Sequence, residues 1–143
     1  MSLSQNEDVT LPKILVIDDE AAIRDTISVI LERKGHSVVL AEDGIRGVAK
    51  YRTELPDLVV TDMNMPEQGG AETIARIRQE TPDARIIAVS GGGVLDATHP
   101  LVLAKKLGAV EILRKPFTAR ELVDCVARAL SRLLVRNSQH SSS

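Results

Sequence analysis

With 143 residues, 43% of them apolar and 27% charged, the chain has the make-up of one soluble globular domain, large enough to build a core without disulfides or a structural metal. A formal net charge of -2 excludes a general polyanion binder, and Tyr51 and Phe117 as the only aromatics exclude a stacking platform for single-stranded nucleic acid or an aromatic pocket for a flat cofactor. Cys125, alone, excludes an internal disulfide and suits a reducing cytosol; the polar start, Met1 to Pro12, has no signal-peptide core, and no apolar run approaches the ~20 residues that span a bilayer.

In chain order, short apolar runs alternate with helix-length amphipathic segments five times. Ile14 to Ile17 is the first run, and Ile23, Ile27, Ile30 and Leu31 follow at helical spacing until Gly35. Ser37 to Leu40 is the second, followed by a helix that Asp43 can cap and that ends before Pro56. Leu58 to Val60 is the third, with a helix over Ala71 to Glu80 before Pro82. Ile86 to Val89 is the fourth; Pro100 then starts a helix, with Asp96 and Thr98 as candidate caps, that Gly108 stops. Val110 to Leu113 is the fifth, and Thr118-Ala119-Arg120-Glu121 has the form of a capping box ahead of Leu122, Val126, Leu130, Leu133 and Leu134. The runs are β-branched and mostly continuous, as expected of strands covered on both faces. Strand then helix, repeated, predicts a doubly wound α/β fold with a parallel sheet and right-handed crossovers.

Ligands of such folds gather beyond the carboxyl ends of the strands. There the sequence places Asp18, Asp19 and Glu20 after the first run, Asp62 after the third, Ser90 after the fourth and Lys115, with Pro116 behind it, after the fifth. Singly, each has a plain structural explanation: Asp18 and Asp19 as helix caps, Asp62 as a turn residue, Ser90 as a turn hydroxyl, Lys115 as a solvated cation. Together these explanations need four coincidences on one edge. Crowded carboxylates repel unless a cation lies among them, and Mg2+ (or Mn2+) suits one or two carboxylates, waters and phosphate oxygens. A carboxylate beside such an ion, with a hydroxyl and an ammonium at hand, has the parts for phosphoryl transfer onto itself.

Asp18-Asp19, Asp62 in Asp-Met-Asn-Met-Pro, Ser90, and Lys115-Pro116-Phe117 resemble, in order and spacing, the pattern of two-component response-regulator receiver domains across about residues 12 to 135. The resemblance implies a flavodoxin-like, five-stranded parallel sheet in the order 2-1-3-4-5 wound with five helices. It implies that Asp62 accepts a phosphoryl group from a sensor histidine kinase or phosphotransfer protein. The metal would be held by Asp19, Asp62 and the backbone carbonyl of Asn64, with Asp18 contributing through water. Ser90, Lys115 and Gly91 would form the phosphoryl-binding and switching set, the Lys115–Pro116 bond would be cis, and Gly70 would serve the turn into the third helix. The switched surface would be helix 4, strand 5 and helix 5, offered to a protein partner or a second copy. Such a domain is a cytoplasmic, bacterial signalling module that catalyses only its own phosphorylation and dephosphorylation, with no direct nucleic-acid contact and no membrane insertion.

Three positions depart from the family pattern. Ile112 stands where an aromatic switch residue is common, so readout must use loop and helix motion. Gln68-Gly69-Gly70 replaces Met-Asp-Gly. Gly91-Gly92-Gly93 makes the loop after Ser90 longer and barer, which predicts quick self-dephosphorylation. Rival functions are a haloacid-dehalogenase-like phosphatase, which needs a second Asp where Asn64 stands, a flavodoxin-like mononucleotide binder, which needs a different first loop, and a degenerate receiver that acts as a phosphate-independent scaffold. The expected organisation is a disordered segment over 1–11, the receiver over 12–136 and a disordered tail over 137–143, in a chain that is either stand-alone or part of a longer regulator.

Overall fold

The computed structural model of the protein describes residues 11–65, 68–92 and 95–142, with side chains through residue 131. Strands β1 (Lys13–Ile17), β2 (Ser37–Ala41), β3 (Leu58–Asp62), β4 (Ile86–Gly91) and β5 (Glu111–Lys115) form one parallel sheet in the order β2-β1-β3-β4-β5. Helices α1 (Ala21–Arg33), α2 (Gly44–Glu54), α3 (Gly70–Glu80), α4 (Pro100–Lys106) and α5 (Ala119–Ser142) connect and cover it. This is the flavodoxin-like, doubly wound receiver fold expected from the sequence.

Period-two alternation within each strand builds two cores. Leu15, Ile17, Val59 and Ile86 face Val48, Tyr51, Ile74, Ile77 and Leu101 of α2, α3 and α4. Ile14, Val16, Val60, Ile87 and Val89 face Ile27 and Leu31 of α1 and Leu122, Cys125, Val126 and Ala129 of α5. Each fully buried aliphatic side chain contributes about 1.5–3 kcal/mol of transfer free energy, and both faces of β1, β3 and β4 carry them. The two edge strands differ from the expected double coverage. Val38, Val39 and Leu40 of β2 are only half-buried, and β5 alternates between buried and exposed positions, because each has a neighbour on one side only.

Local signals set most helix ends. Asp43 accepts from the Arg46 N–H at 2.7 Å, and Thr118 and Glu121 exchange hydrogen bonds of 2.8 and 3.0 Å in a closed capping box. Gly35 and Gly108 end α1 and α4 with φ of 95° and 110°. The start of α4 corrects the sequence expectation: the cap is His99, whose Nδ1 accepts from the Leu101 N–H at 3.0 Å. Asp96 instead closes the preceding turn, accepting from the N–H and hydroxyl of Thr98. The last helix runs through Ser142, past residue 136, with no glycine or proline after Ala119 to stop it. Residues 1–10, and Pro66 as the element expected to turn the chain after Asp62, lie outside the described residues.

Candidate phosphoacceptor site

The strand order reverses between β1 and β3, so their carboxyl ends open the crevice in which this class of sheet binds ligands. Asp18 follows β1 directly. Its N–H extends the ladder to Ala41 O (3.1 Å), its Oδ1 accepts from the Glu20 N–H (2.9 Å), and its carbonyl accepts from Arg24 Nη1 (2.7 Å). The residue is 2% exposed, locked from three directions. Asp62 ends β3 at 3% exposure, because Leu58 to Thr61 are wholly buried ahead of it.

Lys115 ends β5 and reaches back into the crevice. Its Nζ lies 3.1 Å from Asp62 Oδ1, 3.4 Å from Asp18 Oδ2 and 3.8 Å from Glu20 Oε1. The contact with Asp62 Oδ1 is an ion pair to a buried carboxylate oxygen. Burial, and then the neighbouring Asp18 charge, push the Asp62 carboxyl up to about 6 against the pull of Lys115. Burial also raises Asp18, opposed by the Glu20 N–H and by Lys115. Burial alone lowers Lys115, but the Asp62 and Asp18 carboxylates together outweigh it and hold the ammonium above its usual range.

Ser90 is fully buried near the end of β4, and its Oγ accepts from Asn64 Nδ2 at 3.0 Å. Gly91 pairs with Lys115 across β4 and β5; a Cβ there would stand 3.2 Å from Lys115 Cβ, so the missing side chain leaves the lysine its path. The Lys115–Pro116 peptide is cis. Gly70 differs from its expected part in the turn. The left-handed residue there is Gln68 (φ 38°), whereas Gly70 lets α3 start against the backbone, since a Cβ would fall 2.5 Å from Met63 Cα and 2.6 Å from Asp62 O.

Oxygens of Asp18, Asp19 and Glu20 all lie within 4.8 Å of one another, a donor set suited to a hard divalent cation. Asp62 stands outside that trio and meets it through Lys115. Three carboxylates, those of Asp18, Glu20 and Asp62, lie within 4 Å of one ammonium, and Asp19 adds a fourth negative charge beside Asp18 and Glu20, so the residues present fit Mg2+. Sequence reasoning left Glu20 out of the ligand set, although it follows Asp18-Asp19 directly. It also missed the Asn64 side chain, having assigned only its carbonyl; a bond spanning 26 residues has no local signal.

The fold and the strand-end side chains together define a doubly wound α/β domain of the receiver type. The response regulator receiver domain model matches residues 14–127, and the chain belongs to that family, a signalling domain of two-component response regulators and not a classical enzyme. Receiver domains generally bind Mg2+ at an acidic pocket and interact with histidine kinases or phosphotransfer proteins. The chain is 36% identical over 120 residues to the chemotaxis protein CheY of Bacillus subtilis, covering 83% of this chain and 98% of that protein. It is 37% identical over 120 residues to the alkaline phosphatase synthesis transcriptional regulatory protein PhoP of the same organism, covering 84% of this chain. There it spans 49% of the relative, so the chain accounts for about half of that longer regulator and nearly all of the chemotaxis protein. A solved receiver domain from Clostridium thermocellum superposes with a TM-score of 0.79 at 38% identity, over 87% of this chain and 98% of that one. Nothing among these relatives supports the haloacid-dehalogenase alternative. Among the described residues no helix is long and apolar enough to cross a membrane.

Proposed function

We propose that Asp62 is the phosphoacceptor of this receiver, and the observation that carries the proposal is its buried carboxylate held 3.1 Å from Lys115 Nζ at the end of β3. An ionised Asp62 oxygen attacks the phosphorus of a phosphohistidine on a sensor histidine kinase or phosphotransfer protein. The P–N bond breaks, the imidazole leaves with its electron pair and takes up a proton, and an acyl phosphate remains on Asp62. Asp19, Asp62 and the Asn64 carbonyl, with Asp18 through water, would hold Mg2+ or Mn2+, and Glu20 is placed to join them. When bound, the cation supplies charge neutralisation at the transferring oxygens.

The chain's own groups do the rest. Lys115 leaves its contact with Asp62 Oδ1 to pair with a phosphoryl oxygen. Ser90 gives up Asn64 and donates its hydroxyl to another, and Gly91 leaves the space in which both arrive. A phosphoryl group adds about -1.5 to -2 charge, a sufficient local cause for moving the loop after Ser90. That movement reshapes the α4–β5–α5 surface for a downstream protein partner or a second copy, in the cytoplasm, without direct contact with nucleic acid or membrane insertion. With no side chain at Gly92 to cover the acyl phosphate, hydrolysis is quick, and a phosphoryl lifetime of many hours with Mg2+ present would contradict this.

Intact mass after incubation with acetyl phosphate and Mg2+ tests the proposal, beside Asp62→Ala and a chelated sample. One phosphoryl group gained by the unaltered chain alone supports it. Gain by the variant, or none under any condition with the fold intact, overturns it, the second result favouring a phosphate-independent scaffold.

A further inference from the structure

His99 plays no part in the acceptor site, yet it is 5% exposed and uses both ring nitrogens. Nδ1 accepts from the Leu101 N–H at 3.0 Å, and Nε2 lies 2.7 Å from the Gly92 carbonyl. A nitrogen that accepts a hydrogen bond carries no proton. The ring is therefore the neutral Nε2–H tautomer, and Nε2 donates to Gly92. Pro100 has no N–H, so Leu101 offers the first free donor of α4, a helix of seven residues for which a single cap is a large share of the end bonding.

The other end of this tie sits on the loop after Ser90. Gly92 has φ of +69°, and nothing lies within 4 Å of the place where its side chain would be. Ser90, two residues earlier, is held by Asn64 at 3.0 Å. One short segment is thus gripped at two points, by Asn64 at the hydroxyl and by His99 at the carbonyl. An open recess of about 560 Å³, lined by Asn64, Gly91, Gly92, Thr98 and His99 among others, gives the segment room to move.

We propose that His99 couples the loop to α4: it is a positioning residue through which displacement of Ser90 and Gly92 pulls on, or releases, the first turn of α4. A 2.7 Å hydrogen bond does not survive about 1 Å of separation, so once the loop shifts either the bond breaks or the ring follows and leaves Leu101 uncapped. Either result alters α4, where Leu103 is 44% exposed beside the half-buried Val102. The device deepens the phosphoacceptor proposal and rests on it for the event that moves the loop, but the tie itself belongs to the resting protein.

The test separates the two ends of the tie. His99→Asn keeps a capping oxygen for Leu101 but is too short to reach Gly92, whereas His99→Ala loses both. In the 15N-labelled resting protein, the His99 ring is expected as the Nε2–H tautomer. Order at the Gly92 amide, read by heteronuclear relaxation, is expected to fall in both variants, while exchange of the Leu101 amide speeds about five- to tenfold in His99→Ala only. Beryllium trifluoride with Mg2+, a phosphoryl mimic, is then expected to shift the Ser90–Gly92 and Leu101–Leu103 amides together in the unaltered chain. In His99→Asn only the loop amides shift fully, and those of α4 keep less than half their response. An Nδ1–H or protonated ring, unchanged Gly92 order in both variants, or an undiminished α4 response in His99→Asn overturns the coupling. Absence of any shift at Asp62 in the unaltered chain counts against the phosphoacceptor proposal, and the resting-state results then decide the tie.

Discussion

Lys115 Nζ stands 3.1 Å from Asp62 Oδ1, so the lysine acts on Asp62 as a positive charge. A positive charge favours the ionised carboxylate against the burial that raises its pKa. Lys115→Met removes the positive charge that opposes burial at Asp62. In chelator, the Asp62 carboxyl, followed by 13C chemical shift, is expected to titrate near 6 in the unaltered chain and on the order of 1 unit higher in the variant. An unmoved midpoint would mean that the contact carries no electrostatic weight.

The same burial makes stability depend on pH with a definite sign. Asp62 titrates at 3.8 when free of its surroundings and at about 6 in the fold. Between these values the folded chain binds more protons than the unfolded one, so stability is full below about 4 and falls as pH rises through about 6. Asp18, raised by its own burial, acts in the same direction. At about 1.4 kcal/mol per unit the Asp62 loss is on the order of 3 kcal/mol at most. In chelator, Asp62→Asn is therefore expected to unfold in urea with about 1–3 kcal/mol more stability than the unaltered chain at pH 7, and with a flatter profile between pH 4 and 7. Saturating Mg2+ should narrow the gap by neutralising the carboxylate it replaces. Equal stabilities at pH 7 in chelator would refute the assignment of strain to Asp62.

What the sequence reveals of this molecule is what short-range chemistry determines. The β-branched runs, Asp43 and the Thr118–Glu121 box each specify an element through neighbours a few residues away, and five strands wound with helices leave one topology rule to bring Asp18, Asp62, Ser90 and Lys115 to the same edge. The contacts that escape prediction depend on tertiary placement. Asn64 reaches Ser90 only because β3 and β4 are neighbours. His99 displaces Asp96 and Thr98 as cap because the ring is also anchored on Gly92, and the general preference for small oxygen-bearing caps points elsewhere. Gly70 was legible as a needed glycine, but its cause is the approach of α3 to the backbone of Asp62 and Met63.

Leu55 closes α2 with φ of 49° and ψ of 59°, left-handed values that cost a residue with a Cβ about 1–2 kcal/mol. Its side chain is 74% exposed, so little packing offsets that cost. Leu55→Gly is expected to raise stability by about 1 kcal/mol, seen as a higher urea midpoint at unchanged slope, with phosphorylation unaffected. A loss of stability would show that packing of the leucine side chain outweighs the backbone cost.

Gly70 joins fold to site. The Cβ of an alanine there would meet Met63 Cα at 2.5 Å and Asp62 O at 2.6 Å, and both are backbone atoms that cannot rotate away. Either α3 lifts from the sheet, taking Thr73, Ile74 and Ile77 out of their buried positions, or the backbone at Asp62 and Met63 shifts. Gly70→Ala is expected to cost about 2 kcal/mol or more, in spite of alanine's better helix propensity. Gly70→Ala should therefore lower stability and displace the Asp62 titration together. In Gly69→Ala, one residue earlier, a Cβ would meet nothing within 4 Å, so that variant should leave both nearly unchanged. Equal effects from the two variants in urea unfolding and 13C titration would show that close approach is not what position 70 requires.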